Sequence, residues 1–184
     1  PGVPRHGVAE FPENLAKRVK DIELNSPVDS INDGVVEGEF GSRRFDAVVV
    51  ATDPVSSVQL TGVKDFIRTL PSTTWYHTTD IELFDPNYLA IDTGTALLNS
   101  VVISQASSAY APKGFSLIAS TSLEILNESV VRRDLSKIWR TETKSWGLIA
   151  KYDIPQSLAL RPGDRSLPAK IGERLYLAGD HRDV

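Results

Sequence analysis

The stretch ERLYLAGDHR, residues 173–182, constrains this chain more than any other. Its apolar run, residues 175–178, leads straight into Gly179-Asp180. A short apolar run closing on Gly-Asp suits a buried parallel strand that carries one carboxylate to the carboxyl edge of a sheet. In open α/β sheets that edge is where ligands bind. A carboxylate placed there accepts charge-strengthened hydrogen bonds from sugar or polyol hydroxyls. Only four residues follow Asp180. The helix that normally covers such a strand is therefore absent, and the chain is expected to be part of a larger protein.

A second stretch has the same character. Residues 43–52 read as a strand whose second half, AVVVA, is apolar on both faces and so suits burial between two layers. Asp53-Pro54 then reads as an N-cap followed by proline at the first helical position, opening a short helix over 54–60. The two buried strands are far apart in sequence. The reading requires them to lie side by side, with the tips at Thr52 and Asp180 together.

The remainder is β-rich with a few helices. Pro12 opens a helix whose apolar face is Leu15, Val19 and Ile22. Residues 22–24 and 28–31 are strand candidates. Asp33-Gly34 is a hairpin turn because both positions tolerate positive φ. A strand over 35–40 follows, with a turn at Gly41-Ser42. A helix over 65–70 stops before Pro71. Residues 73–83, 89–91, 101–105 and 115–121 are further strands. The clearest helix is 128–142, with Val131, Leu135, Ile138 and Trp139 as its apolar stripe and Arg132, Arg133, Lys137 and Arg140 facing water. A strand over 148–152 leads through a proline-punctuated loop, 155–168, to the closing strand.

Composition narrows the function. The 184 residues are 41% hydrophobic and 24% charged, ordinary for a soluble domain. Net charge is −4, and basic residues cluster only at Arg43-Arg44 and Arg132-Arg133, so no nucleic-acid partner is expected. The chain has no cysteine, which excludes disulfides, thiolate metal sites and cysteine nucleophiles. His6, His77 and His181 are too scattered for a metal site. The apolar runs are too short for a membrane span, no signal peptide is visible, and a cytoplasmic location is expected. With no methionine anywhere, Pro1 is not a primary translation start.

Five segments, in this order, resemble the flavin-containing amine oxidase superfamily, which includes phytoene desaturase-like and protoporphyrinogen oxidase-like enzymes. They are HGVAEFPENLAKRV (6–19), IELNSPVDSI (22–31), FDAVVVATDP (45–54), SWGLIAKYDIPQSLAL (145–160) and ERLYLAGDHRD (173–183). The resemblance covers nearly the whole chain. It departs from the family in two places: no GxGxxG fingerprint is present, and no helix follows the Gly-Asp motif. It therefore implies the middle-to-late portion of such an enzyme, without the N-terminal dinucleotide-binding segment and the C-terminal helix. The implied fold is α+β, a mixed and largely antiparallel substrate-domain sheet flanked by helices, plus strands of an incomplete FAD-binding, Rossmann-like domain. Residues 1–53 and 171–184 would belong to the FAD side, and 54–170 to the substrate domain.

The resemblance also assigns roles, each with a plainer rival. Asp180, with Gly179 permitting close approach, would bind the ribitol or phosphate region of FAD; the rival is an ordinary Gly-Asp turn. His181 would touch the flavin edge. Val28 would meet adenine through its backbone, or be a plain sheet valine. Ala51 and Thr52 would lie near the cofactor, or simply allow the turn into Pro54. Trp146 would pack near the flavin or substrate, and the set Trp75, Tyr76 and Tyr88 would line a substrate cavity; the rival for each is a place in the core. The function implied is FAD-dependent dehydrogenation of a small-molecule substrate, with this chain alone inactive and binding FAD weakly or not at all. A stand-alone ligand-binding or interaction module without cofactor, and an unrelated α/β or α+β protein, are the alternatives.

Overall fold

The computed structural model describes residues 3–63, 68–91, 94–160 and 167–182. The chain divides into two compact units, Pro1–Lys20 with Pro71–Pro155 and Asp21–Leu70 with Gln156–Val184.

The first unit is built on an antiparallel sheet. Its strands are β5 (Arg68–Thr79), β6 (Leu89–Ala90), β7 (Asn99–Val102), β8 (Ser116–Ser122) and β9 (Gly147–Leu160), in spatial order β6-β7-β8-β5-β9. Residues of β5 alternate, as a strand with one closed face must. Thr73, Trp75, His77 and Thr79 are buried, while Thr74, Tyr76 and Thr78 are half-buried. The register Trp75↔Ser120 and His77↔Ile118 sets the same face on β8. Helix α3 (Glu128–Ile138) covers it with Val131 and Leu135, which have no exposed surface. Trp139, Trp146, Ile118, Val102, Leu97 and Leu83 complete the core. Within it, Ser100 and Ser120 share a hydrogen bond of 2.8 Å, and the Trp139 indole donates to Ser100 Oγ at 3.0 Å.

The apolar stripe expected on this helix is present, but its end and its basic face differ from expectation. The helix stops at Ile138 rather than Glu142, because Arg140 turns left-handed (φ 51°) and the Thr141 amide reaches back to the Ser136 carbonyl. Arg132 does not face water. It is 23% exposed and bonds Glu128 and the carbonyls of Thr143 and Trp146.

The second unit holds an antiparallel sheet of β1 (Val28–Asn32), β2 (Val35–Gly38) and β3 (Gly41–Arg44), and a parallel pair, β4 (Val48–Val50) with β10 (Leu175–Leu177). The Asp33-Gly34 hairpin forms as expected, with both residues at positive φ. Asp33 Oδ1 also accepts from the Arg174 amide at 2.6 Å, tying the turn to the start of β10. Glycine is needed at 34, since a Cβ there would lie 2.9 Å from the Phe45 carbonyl oxygen. Val50, Leu175 and Leu177 form a small core with Ile31, Val48, Leu60, Val63 and Ile171 against it.

Helix α2 (Pro54–Thr61) starts as the sequence predicts. Asp53 Oδ1 accepts from the Val55 and Ser56 amides, both at 3.0 Å, and Pro54 occupies the first turn. The Ser56 hydroxyl and amide hold the Asp53 carboxyl below its ordinary value, against a small opposing effect of burial. Asp53→Ala is expected to lower stability by about 1 kcal/mol in urea denaturation at pH 7. An unchanged midpoint would show that the cap is dispensable.

Other expectations are corrected. Helix α1 (Glu10–Ala16) ends before Val19, and Arg18 and Val19 close back on Leu15 and Ala16 in tighter turns. Leu15, Val19 and Ile22 are exposed and share no buried face. Residues 22–24 form no strand. The single strand expected over 43–52 is two, because β3 pairs antiparallel with β2 whereas β4 must turn to pair parallel with β10. The turn lies at Glu39-Phe40, and Gly41 begins β3. Of the helix expected over 65–70, Arg68–Leu70 is strand, and 65–67 lie outside the described residues. The register of β5 with β8 runs from Thr73 to Thr79, so Pro71 lies outside those rungs and its missing amide breaks none of them. Likewise β9 runs through Pro155 to Leu160 where a loop was expected, and 161–166 lie outside the described residues.

Candidate functional site

The parallel pair positions the site. Leu175, Tyr176 and Leu177 lie opposite Val48, Val49 and Val50, and the Ala178 amide donates to the Val50 carbonyl at 2.9 Å. Two strands 127 positions apart in sequence (175 − 48) therefore end at one edge, β4 in Ala51-Thr52-Asp53 and β10 in Gly179-Asp180-His181. This juxtaposition is the one the sequence reading requires.

A cleft of about 490 Å³ opens beside β4. Val28 of β1, Ala51, Thr52, and Ser56, Gln59 and Leu60 of α2 are among its walls. Its size falls in the usual range for small-ligand sites, about 300–1,000 Å³. The walls are mostly valine and leucine, with hydroxyl and amide groups at the α2 end. Thr52 Oγ1 lies 3.1 Å from Ser57 Oγ, so the turn from strand to helix is fixed by side chains as well as by Asp53. The Val55 and Ser56 amides at the start of α2 are already taken by the Asp53 carboxylate. Those amides are therefore not open to a phosphate, and the polar groups lining that end of the cleft are Thr52, Ser56 and Gln59.

The other tip has a built geometry. Gly179 sits at φ 150°, and a Cβ there would come within 2.7 Å of the His181 ring. Glycine lets the imidazole fold back over the backbone. His181 is buried, with neither ring nitrogen hydrogen-bonded. Burial, with Arg182 next to it, lowers the His181 pKa against the pull of Asp180 and Asp53. Nδ1 lies 3.8 Å from the Asp180 carboxylate, which is 65% exposed and open to a ligand.

The structure therefore brings Val28, Ala51 and Thr52 to one cleft, and sets Gly179, Asp180 and His181 in the turn just past β10, the strand paired with β4. It separates the aromatic set within the first unit. Trp75 and Trp146 lie in the core, whereas Tyr76, next along β5, points to the other face and meets Tyr152 of β9 edge-on at 6.0 Å. Tyr88 is exposed. One residue not singled out is notable. His77 is wholly buried, stacked on Trp75 at 6.2 Å and 6.3 Å from the Trp146 ring. The alternation of β5 carried the signal, since His77 is two positions from Trp75 and must share its face.

No family profile matches the sequence, and no curated protein does. Solved structures do match. An oxidoreductase from Methanosarcina mazei superposes with a TM-score of 0.74 at 14% identity, over 96% of this chain and 49% of its own. A putative protoporphyrinogen oxidase from Exiguobacterium sp. 255-15 gives 0.72 at 17% identity, over 97% and 47%. A reduced UDP-galactopyranose mutase gives 0.65 at 9% identity, over 82% and 40%. At these identities the likeness is one of fold, which this chain shares with parts of these three proteins. The chain spans about half the length of the structures it matches. Among the described residues, no helix is long and apolar enough to cross a membrane.

Proposed function

We propose that this chain is the middle-to-late part of an FAD-dependent oxidoreductase of the amine oxidase and phytoene desaturase type. The observation that carries this reading is the parallel pairing of β4 with β10, which sets two small-residue tips and one exposed carboxylate at the same sheet edge. The cofactor side is assigned to the unit holding Val28, Ala51, Thr52 and Asp180, and the substrate side to the unit holding Tyr76, Trp75 and Trp146.

The residues present fit the nucleoside and polyol parts of such a cofactor. The cleft beside Val28 and Ala51 is apolar enough for a flat base and ends in hydroxyls. Asp180 offers a free carboxylate for ribitol or ribose hydroxyls. The His181 ring is buried and makes no hydrogen bond, its Nδ1 lying 3.8 Å from the Asp180 carboxylate. The pyrophosphate is not provided for at α2, whose N-terminal amides Asp53 already occupies. That agrees with a separate dinucleotide-binding segment bearing the helix N-terminus that phosphates favour.

When bound, the flavin supplies the hydride acceptor, so the protein need contribute only position and the exclusion of water. Asp180 would hold the cofactor's hydroxyl chain, and the small side chain of Ala51 would let the base approach the backbone. Tyr76 and Tyr152, on the half-open face of the larger sheet, would meet a small or apolar organic substrate, while Trp75 and Trp146 stiffen that sheet from behind.

The test is to express the complete reading frame containing this chain and record its absorbance. Near-stoichiometric flavin is expected, and Asp180→Ala should weaken FAD binding by about 10- to 100-fold, the loss of one charge-assisted hydrogen bond. The 184-residue chain alone should hold little FAD and show no turnover. A complete protein that purifies colourless and takes up no FAD would overturn the reading.

A further inference from the structure

Strand β10 is hydrogen-bonded along both of its edges, and β4 along one. Between the two strands the Val48 amide donates to the Arg174 carbonyl at 2.8 Å, and the Ala178 amide to the Val50 carbonyl at 2.9 Å. On the far side of β10 the Ile171 amide donates to the Leu175 carbonyl at 2.9 Å and the Leu177 amide to the Ala169 carbonyl at 2.8 Å, with Lys170 bridged to Tyr176. Segment 169–171 therefore closes that side. Successive residues of a strand turn their N–H and C=O groups to opposite edges. With Val48 and Val50 facing β10, Val49 directs its amide and carbonyl outward. Among the described residues no strand pairs with that outer edge.

The cleft beside β4 follows the same edge. Val48, Val49 and Val50 all line it. Neighbouring side chains point to opposite faces of a sheet, so one cleft reaches all three by running along the edge of the strand. Ile31, Val36 and Leu60 also line it, so an occupant's side chains would meet hydrocarbon. Val49 itself is 61% exposed. A bare valine edge is a liability that proteins pair or cover, and parallel sheets are seldom left with so little around them.

We propose that the outer edge of β4 is the seat of a third strand, apolar in its side chains, supplied by the part of the same protein that lies outside these 184 residues. This rests on the reading of the chain as part of a larger oxidoreductase. In the Methanosarcina and Exiguobacterium structures the matched region is 49% and 47% of the chain, which leaves as much polypeptide again to furnish such a strand. A second copy of this chain offers only the same three-residue edge, far too little for a stable dimer. The incoming strand takes the length of the cleft beside Val48–Val50. Ala51 and Thr52, just past the end of β4, are left to the cofactor.

Amide hydrogen exchange read by NMR tests this on the 184-residue chain and on the complete reading frame. In the shorter chain the Val48 amide should be protected and the Val49 amide should exchange nearly as fast as a free one. In the complete protein Val49 should slow by about 100-fold or more, as a bonded strand amide does. Its amide should then give Overhauser contacts to a residue outside 1–184. The outcome does not depend on flavin. A colourless protein with Val49 so paired keeps the strand and loses the cofactor reading, whereas a flavin-bearing one with Val49 still fast overturns the strand alone. The proposal also fails if Val49 is protected by residues within 1–184, or if the reading frame adds nothing to them. It fails equally if protection appears in the shorter chain as its concentration rises and sedimentation shows a dimer.

Discussion

Acidification from pH 7 to pH 4 is expected to remove about 3 kcal/mol of native stability through His77 alone. The folded chain holds this imidazole neutral down to about pH 4, chiefly by burial and then by Arg132, whereas an unfolded histidine takes its proton near 6.5. Between those values the unfolded state binds more protons, so stability rises with pH and falls as pH drops. Above 6.5 the contribution is complete, and below about 4 no further loss comes from this residue. His181 adds a loss of the same sign as pH falls below 6.5, again because burial lowers it. The carboxyls of Asp53 and Asp134 act in a separate, lower window. Asp134 is raised by burial but lowered further by Arg133, the Ala96 amide and Lys137, so its contribution is lost only as pH falls below the ordinary carboxyl range. Urea midpoints of the parent and of His77→Phe at pH 7, 5.5 and 4.5 would separate the effects. The parent should lose stability across that span far faster than the variant. Parallel lines would show that His77 is solvated or paired.

Leu135→Ala should cost about 3 kcal/mol at pH 7. Leu135 has no exposed surface and lies in a cluster with Ile118, Val131 and Trp139, the last of which is held by its hydrogen bond to Ser100. For a domain whose net stability is about 5–15 kcal/mol, that is a large fraction. Urea denaturation followed by far-ultraviolet dichroism measures it. A loss under about 1 kcal/mol would mean that the helix is loosely packed.

The elements legible in the sequence were those whose signal is local. Asp53-Pro54 names its own helix start, Asp33-Gly34 its own turn, and the α3 stripe its own buried face. Errors arose where a distant partner decides. Residues 43–52 look like one strand until β2 and β10 compete for its two halves. Pro155 reads as a loop residue, yet strand β9 runs through it. Arg132 reads as surface because nothing in its neighbourhood announces the carbonyls of Thr143 and Trp146. The site was legible in the same uneven way. The Gly-Asp tip and the alanine-threonine tip were found from their strands. The acidic cap that denies the α2 amides to phosphate, and the buried His77, needed coordinates.

The wide separation of β4 and β10 has a consequence for how the protein is made. Val50 can find Leu175 and Leu177 only after more than a hundred further residues have left the ribosome, which at about 5–20 residues per second takes on the order of ten seconds. Until then the valines of β4 wait as an unpaired apolar ribbon. A nascent chain stalled or cut before residue 175 should therefore be an aggregation-prone client of chaperones, however well its larger sheet has already folded.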